Sequence, residues 1–291
     1  MPRPYDEELV IAESEDGIFM QGAVISPSGD GGRPSGTIAS TTAVVWVHGL
    51  TSTFYSMAAL GVGRSLAEAG ITLITGNNRG HDFGAVLRSR AGDMFLGGGG
   101  WERFDESPHD VAGWLGFAEQ RGFERLVLLG HSLGALKAIY YQTQRQDPRV
   151  AGLIAASPPI RTGPSDPGIY TLAERMVAEG RGRDLLSWED GPPGFATVSA
   201  HTLINRVEHN FRGFVLEGER PAVAEIRCPL LAIYGTEESA IGGEEQLAQI
   251  RTLATGTESV TTRLIDGADH VYTGREKEVA GIIADWLNEL G

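Results

Sequence analysis

The residues from Leu126 to Leu129 form an apolar run that leads into Gly130-His131-Ser132-Leu133-Gly134, and a helix-like stretch starts at Leu133. A serine with glycines two positions away on either side has a mechanical meaning in that setting. A strand must turn sharply into a helix while presenting one side chain at the tip. Residues two before and two after the tip crowd each other, so both must be small. The hydroxyl then sits at a helix N-terminus, where the helix dipole and the N–H of Leu133 face a developing oxyanion. Such a serine suits nucleophilic acyl transfer. Its hydroxyl is a weak nucleophile at neutral pH and needs a base beside it.

Other reactive residue types carry less. Cys228 is the single cysteine, which excludes an internal disulfide and a multi-cysteine zinc site. It precedes the apolar run Leu230-Leu231 and reads as a small buried hydrophobe at a strand start. His201, Glu208 and His209 lack the i, i+4 spacing of helical metal ligands, so no metal is expected. The run Gly97 to Gly100 precedes Trp101-Glu102 with no Lys-Ser/Thr after it, so it is not a phosphate loop. It reads as a mobile wall of a site or as a flexible solvent-exposed loop, with Trp101 as a candidate substrate contact.

The elements that must position Ser132 alternate in type. Strands are expected at 8–14, 18–25, 42–47, 71–75, 126–129, 150–155, 230–234 and 260–265. The first two are joined by the hairpin signal Glu15-Asp16-Gly17. Helices are expected at 54–69, 107–120, 133–144, 244–253 and 277–290. Ser107 is read as N-cap of the second of these, Pro108 as N1 and Asp110 as the acidic capping residue. Residues 79–104 read as loop. Strands alternating with helices imply a mostly parallel twisted sheet of about eight strands with helices on both faces. The stretch 161–222 breaks the rhythm with five prolines and helical pieces at 169–178 and 199–207. It reads as a small helical cap inserted into a core of 1–160 and 223–291, lying over the carboxyl edge of the sheet where ligands bind.

Composition bounds the function. The chain has 291 residues, long enough to bury a large core without disulfides or metals. A net charge of −14 disfavours nucleic acid and anionic membranes as partners. All 24 basic residues except Lys137 and Lys277 are arginine. No apolar segment reaches the ~18 residues of a membrane span, and residues 1–8 lack a secretory apolar region, so a cytoplasmic protein is expected.

The strand–Gly-x-Ser-x-Gly–helix segment and the alternating elements around it resemble the α/β-hydrolase superfamily over about residues 8–290. The resemblance implies a Ser, an acid and a His in chain order. It places the base at His270, in Asp266-Gly267-Ala268-Asp269-His270, and the acid after strand 230–234. There Gly235-Thr236-Glu237-Glu238 favours Glu238, with Glu237 as the alternative; Asp266 and Asp269 follow the wrong strand. The family more often has Asp at this position. His48-Gly49-Leu50 matches the family's oxyanion loop, which makes the backbone N–H groups of Leu50 and Leu133 the expected donors. His48 itself reads as structural, with substrate contact as the alternative. Asn78-Arg79-Gly80-His81-Asp82 resembles the family's Arg-Gly loop, with Arg79 expected to pair with a carboxylate in the loop.

The resemblance implies a serine hydrolase of carboxylic esters or thioesters that needs no cofactor and acts on small molecules. Amide hydrolysis, acyl transfer to another acceptor, and a non-catalytic ligand receptor are the alternatives. A serine at the tip argues against epoxide and haloalkane hydrolysis, for which family members typically carry Asp. Trp188 and His201 of the cap join Trp101 as candidate substrate contacts. Trp188, Phe195, His201, Leu203, Phe211 and Phe214 could line an acyl pocket or form the cap's own core.

Overall fold

In a computed structural model the chain is described over residues 4–29, 41–160, 167–186 and 197–290. Eight strands form one sheet: β1 (Tyr5–Glu13), β2 (Phe19–Pro27), β3 (Thr42–Val47), β4 (Thr72–Gly76), β7 (Arg125–His131), β8 (Val150–Ala156), β9 (Leu230–Gly235) and β10 (Val260–Ile265). Their spatial order is β1-β2-β4-β3-β7-β8-β9-β10. The strands from β4 to β10 run parallel, and the β1–β2 hairpin joins antiparallel at one edge. Between β4 and β7, β5 (Ala85–Arg88) and β6 (Met94–Gly97) pair as a separate hairpin.

The central strands are buried on both sides because nearly every residue is apolar. In β3, Ala43, Val45 and Val47 face one core while Val44 and Trp46 face the other. In β7, Leu126 and Leu128 go with the first set, Val127 and Leu129 with the second. That two-sided alternation demands helices on both faces. Helices α1 (Met57–Glu68) and α7 (Glu276–Glu289) cover one face. Helices α2 (Ser107–Gln120), α3 (Leu133–Arg145) and α6 (Glu244–Leu253) cover the other. No helix among the described residues is long and apolar enough to cross a membrane.

Four local expectations are corrected. The loop expected over 79–104 contains the β5–β6 hairpin. Its strands are four residues each and carry exposed Val86, Met94 and Leu96, so apolar residue type does not track burial in them. Ser107 is not an N-cap: a 3₁₀ turn at Phe104–Glu106 runs straight into α2, and the Ser107 hydroxyl donates to the Phe104 carbonyl. Asp110 does not cap either. Its buried carboxylate accepts from the backbone N–H of Arg79 at 2.8 Å and from the Arg79 guanidinium at 2.9 Å. Arg79 is anchored by this carboxylate of α2, together with Asp16 and Glu106, and not by an acid of its own loop.

The inserted stretch contains α4 (Pro167–Ala178) and α5 (Ala200–Glu208). Ala173, Met176, Leu186, Val198 and Ala200 form a small core there, and Leu203 packs against it. Phe211 and Phe214 belong elsewhere: they pack on the main core around Phe104, at ring distances of 6.2 and 5.8 Å. The end of the insertion is thus part of the main body. Trp188 and Phe195 lie outside the described residues.

Candidate active site

Strand β7 delivers His131 and then Ser132, whose backbone has φ 56° and ψ −127°. A non-glycine residue there stores about 1–3 kcal/mol of strain, tolerated only when surrounding contacts over-determine it. The Ser132 N–H donates to the Ala156 carbonyl and its own carbonyl accepts from Ala135 N–H, both at 2.9 Å. The flanking glycines have the steric reason expected of them. A Cβ on Gly130 would lie 2.2 Å from the Gly134 carbonyl oxygen. One on Gly134 would lie 2.0 Å from that of Val47, on the neighbouring strand. Gly134→Ala must therefore push α3 off β3. Its expected cost is about 3 kcal/mol, read as a lower urea midpoint with loss of any hydrolytic activity.

Three loops converge on this turn. The loop after β10 brings His270, whose Nε2 lies 3.0 Å from Ser132 Oγ. The loop after β9 brings Glu238, whose Oε2 lies 2.7 Å from His270 Nδ1. Glu238 is buried, whereas Glu237 is exposed and only its backbone N–H is used, bonding to the Ala268 carbonyl. Asp269 accepts from the N–H groups of Val271 and Thr273 and shapes the turn that follows His270. Asp266 is exposed. The loop after β3 lays Gly49 against the serine: a Cβ there would lie 2.8 Å from Ser132 Cβ. Leu50 follows, and its N–H makes no backbone hydrogen bond among the described residues. Leu133 opens α3, so its N–H has no partner within the helix.

The remaining valences of Glu238 are filled by groups that sequence reasoning missed. Its Oε1 accepts from the Gly235 N–H and from the Ser157 hydroxyl, the latter at 2.7 Å. Ser157 Oγ in turn lies 2.7 Å from the hydroxyl of fully buried Tyr272. Since Ser157 donates to the carboxylate, Tyr272 donates to Ser157. Burial, and then the nearby Glu238, push the Tyr272 hydroxyl well above its ordinary pKa, so it stays a donor. With His270 this makes three hydrogen bonds to one carboxylate, a set that fixes its orientation.

His131 packs beside the site. Its Nε2 donates to the His270 carbonyl at 2.7 Å, and its ring lies 5.1 Å from the His270 ring and 5.6 Å from Trp46. His48 is buried with both ring nitrogens engaged: Nδ1 donates to the Gly49 carbonyl at 2.8 Å and Nε2 accepts from Asn78 N–H at 3.0 Å. It therefore holds its loop and does not meet substrate. Trp101 donates its indole N–H to the Arg183 carbonyl at 2.9 Å, and exposed His201 lies against Gly182. The glycine run is buried, not a flexible exposed loop. It is pressed between Thr51 on one side and α5 on the other. A Cβ on Gly99 would lie 2.7 Å from Thr51, and the Gly100 carbonyl accepts from Ser199 N–H at 2.7 Å.

The two buried imidazoles make folding sensitive to acid. Burial, and then the charge of Lys137, lower the His48 pKa to about 3; burial, and then His270, lower that of His131 to about 4. The unfolded chain protonates both below about 6.5 while the folded chain does not. The unfolded state then binds more protons, and stability falls as pH drops from about 6.5 towards 4. These two groups alone give a slope of about 2.5 kcal/mol per pH unit near pH 5. Urea unfolding across that window should show it, and His131→Gln should roughly halve it.

Comparison with known proteins agrees with this architecture. The family model described as "Alpha/beta hydrolase family" matches residues 44–282. Among solved structures, Est1E from Butyrivibrio proteoclasticus with ferulic acid bound is similar with a TM-score of 0.67 at 16% identity, covering 97% of this chain and 99% of that one. A soluble variant of monoglyceride lipase from Saccharomyces cerevisiae in complex with a substrate analogue gives 0.66 at 17%, covering 100% and 99%. An esterase from Pyrococcus furiosus gives 0.62 at 16%, covering 99% and 94%. No curated protein matches the sequence. A strained serine between β7 and α3, an imidazole and a buried carboxylate in line with it, and a family match over most of the sheet lead to one conclusion: the chain belongs to the α/β-hydrolase family.

Proposed function

We propose that this protein hydrolyses a carboxylic ester or thioester of a small molecule through an acyl-enzyme on Ser132. The observation that carries the reading is the unbroken line from Glu238 Oε2 through the His270 ring to Ser132 Oγ, with spans of 2.7 and 3.0 Å. The Glu238 carboxylate holds the proton on His270 Nδ1, which leaves Nε2 free to accept. As Ser132 Oγ bonds to the substrate carbonyl carbon, Nε2 takes the hydroxyl proton. The carbonyl electrons move onto oxygen, and the N–H groups of Leu50 and Leu133 stabilise that oxyanion. Collapse breaks the bond to the alcohol or thiol, which leaves with the proton from Nε2. Water then repeats the sequence on the acyl-enzyme and releases the acid. The part of the insertion that carries α4 and α5 serves as a cap that bounds the acyl pocket.

Ester chemistry is also what two of the similar structures are named for: an esterase and a monoglyceride lipase, the latter holding a substrate analogue. The test is a series of p-nitrophenyl esters of increasing acyl length, together with a fluorophosphonate probe. Turnover is expected to peak at one chain length, and the probe to label Ser132 once per chain. A folded protein that neither turns over any ester or thioester nor takes the label would overturn the reading.

A further inference from the structure

Beneath the His48–Leu50 loop lie buried polar side chains to which the proposed chemistry gives no task. Lys137 projects from α3 one turn beyond Ser132, and Glu102 follows the glycine run; their side chains are 1% and 2% exposed. They form an ion pair, Nζ to Oε1. Desolvating two charges offsets most of their attraction, and well-packed apolar residues often stabilise such a place at least as well. A buried pair of this kind is better explained by what it orients. Lys137 Nζ also donates to Asn78 Oδ1 at 3.2 Å. Asn78 grips His48 twice: its backbone N–H donates to Nε2 at 3.0 Å and its Nδ2 to the His48 carbonyl at 3.3 Å. With Nε2 accepting, the His48 proton is on Nδ1, which donates to the Gly49 carbonyl at 2.8 Å.

The last link decides the direction of a catalytic donor. The Gly49 carbonyl and the Leu50 N–H belong to one planar trans peptide, so they point opposite ways. Tying the carbonyl down to His48 aims the N–H away from His48. We infer that the Lys137–Glu102 pair is a positioning device for the oxyanion hole, acting through Asn78 and His48 to hold the Gly49–Leu50 peptide with its N–H turned towards the substrate oxygen. The inference rests on Ser132 being the nucleophile. It also gives the insertion a way to reach the chemistry. Arg206 of α5 donates to the Gly99 carbonyl at 3.4 Å and feels the charge of Glu102.

The test is the neutral double variant Lys137→Met/Glu102→Gln, beside the isosteric Asn78→Asp, which removes the amide donor to His48. A displaced donor should cost somewhat less than a deleted one, so kcat is expected to fall by about tenfold to a hundredfold. KM and the pH profile should stay as in wild type. The specific readout is the preference for an ester over its thionoester. Sulfur is large and a poor acceptor, so it gains little from the hole, and the preference should shrink by the same factor as kcat. Unchanged kcat, or reduced kcat with an unchanged preference, would overturn the inference. Should the double variant fail to fold, Asn78→Asp decides by the same ratio. Ser132→Ala, run alongside, separates the two claims: turnover within a hundredfold of wild type there removes the nucleophile itself, whereas an intact Ser132 dependence with an unmoved ratio removes only the positioning role.

Discussion

Ser132→Ala should lower kcat on the best p-nitrophenyl ester by about six orders of magnitude, the scale on which serine hydrolases lose activity with their nucleophile. The loss is expected to be this large because nothing else near the turn can take over. His270 Nε2 addresses Ser132 Oγ, and the neighbouring residues at the tip are His131, whose Nε2 is committed to the His270 carbonyl, and aliphatic Leu133. What rate remains should come from the backbone donors and substrate binding, and so should survive a further His270→Ala. Fold should be unaffected, since Ala at φ 56° carries the same strain as Ser. Ser132→Gly sharpens the point. It should be as inactive, yet more stable by about 1 kcal/mol, because glycine accepts positive φ without penalty. Steady-state rates at high enzyme concentration, with urea midpoints for both variants, check the set. Activity within a hundredfold of wild type in Ser132→Ala would end the acyl-enzyme proposal.

The turn around Ser132 was legible in the sequence because its constraint is local. Two glycines and a serine meet steric demands set within five residues and one neighbouring strand. The same holds for β3, whose apolar residues state that both faces are covered. His270 and Glu238 needed the family resemblance to be located, and the contacts between loops bring Glu238, not its exposed neighbour, against His270. What escaped depends on distant partners. Asp110 looked like a helix cap because nothing nearby announces Arg79, 31 residues away. Ser157 and Tyr272 meet across 115 positions, and Lys137 meets Glu102 across 35. A signal for the last existed: one of only two lysines in the chain sits in the middle of an apolar helical stretch, Leu133 to Ile139. A lysine there must find a buried acid, and Glu102 ends a segment whose glycines allow close approach. The β5–β6 hairpin was unreadable for the opposite reason, since Val86, Met94, Phe95 and Leu96 face outward and break the usual correlation of pattern with burial.

Glu238→Gln is the isosteric change with the next largest expected effect, about four orders of magnitude in kcat, and the surroundings of the carboxylate dictate why. The Oε1 position receives two donors, the Gly235 N–H and the Ser157 hydroxyl. A glutamine must place its carbonyl oxygen there, because its NH₂ would face two donors and accept from neither. The NH₂ then occupies the Oε2 position, facing His270 Nδ1 where the carboxylate now lies at 2.7 Å. It can only donate, so Nδ1 must become the acceptor and the ring proton moves to Nε2. That nitrogen is the one facing Ser132. The imidazole would then present a proton where the mechanism needs a lone pair, although every heavy atom stays in place. Glu238→Asp keeps the charge and the tautomer and loses only reach, so its loss should be much smaller. Glu237→Gln should be silent, as that side chain is exposed. Rates for the three variants, with the His270 tautomer read from ¹⁵N chemical shifts, test the argument directly: Glu238→Gln within about tenfold of wild type, or with the proton still on Nδ1, would show that the buried carboxylate does not set the direction of proton transfer.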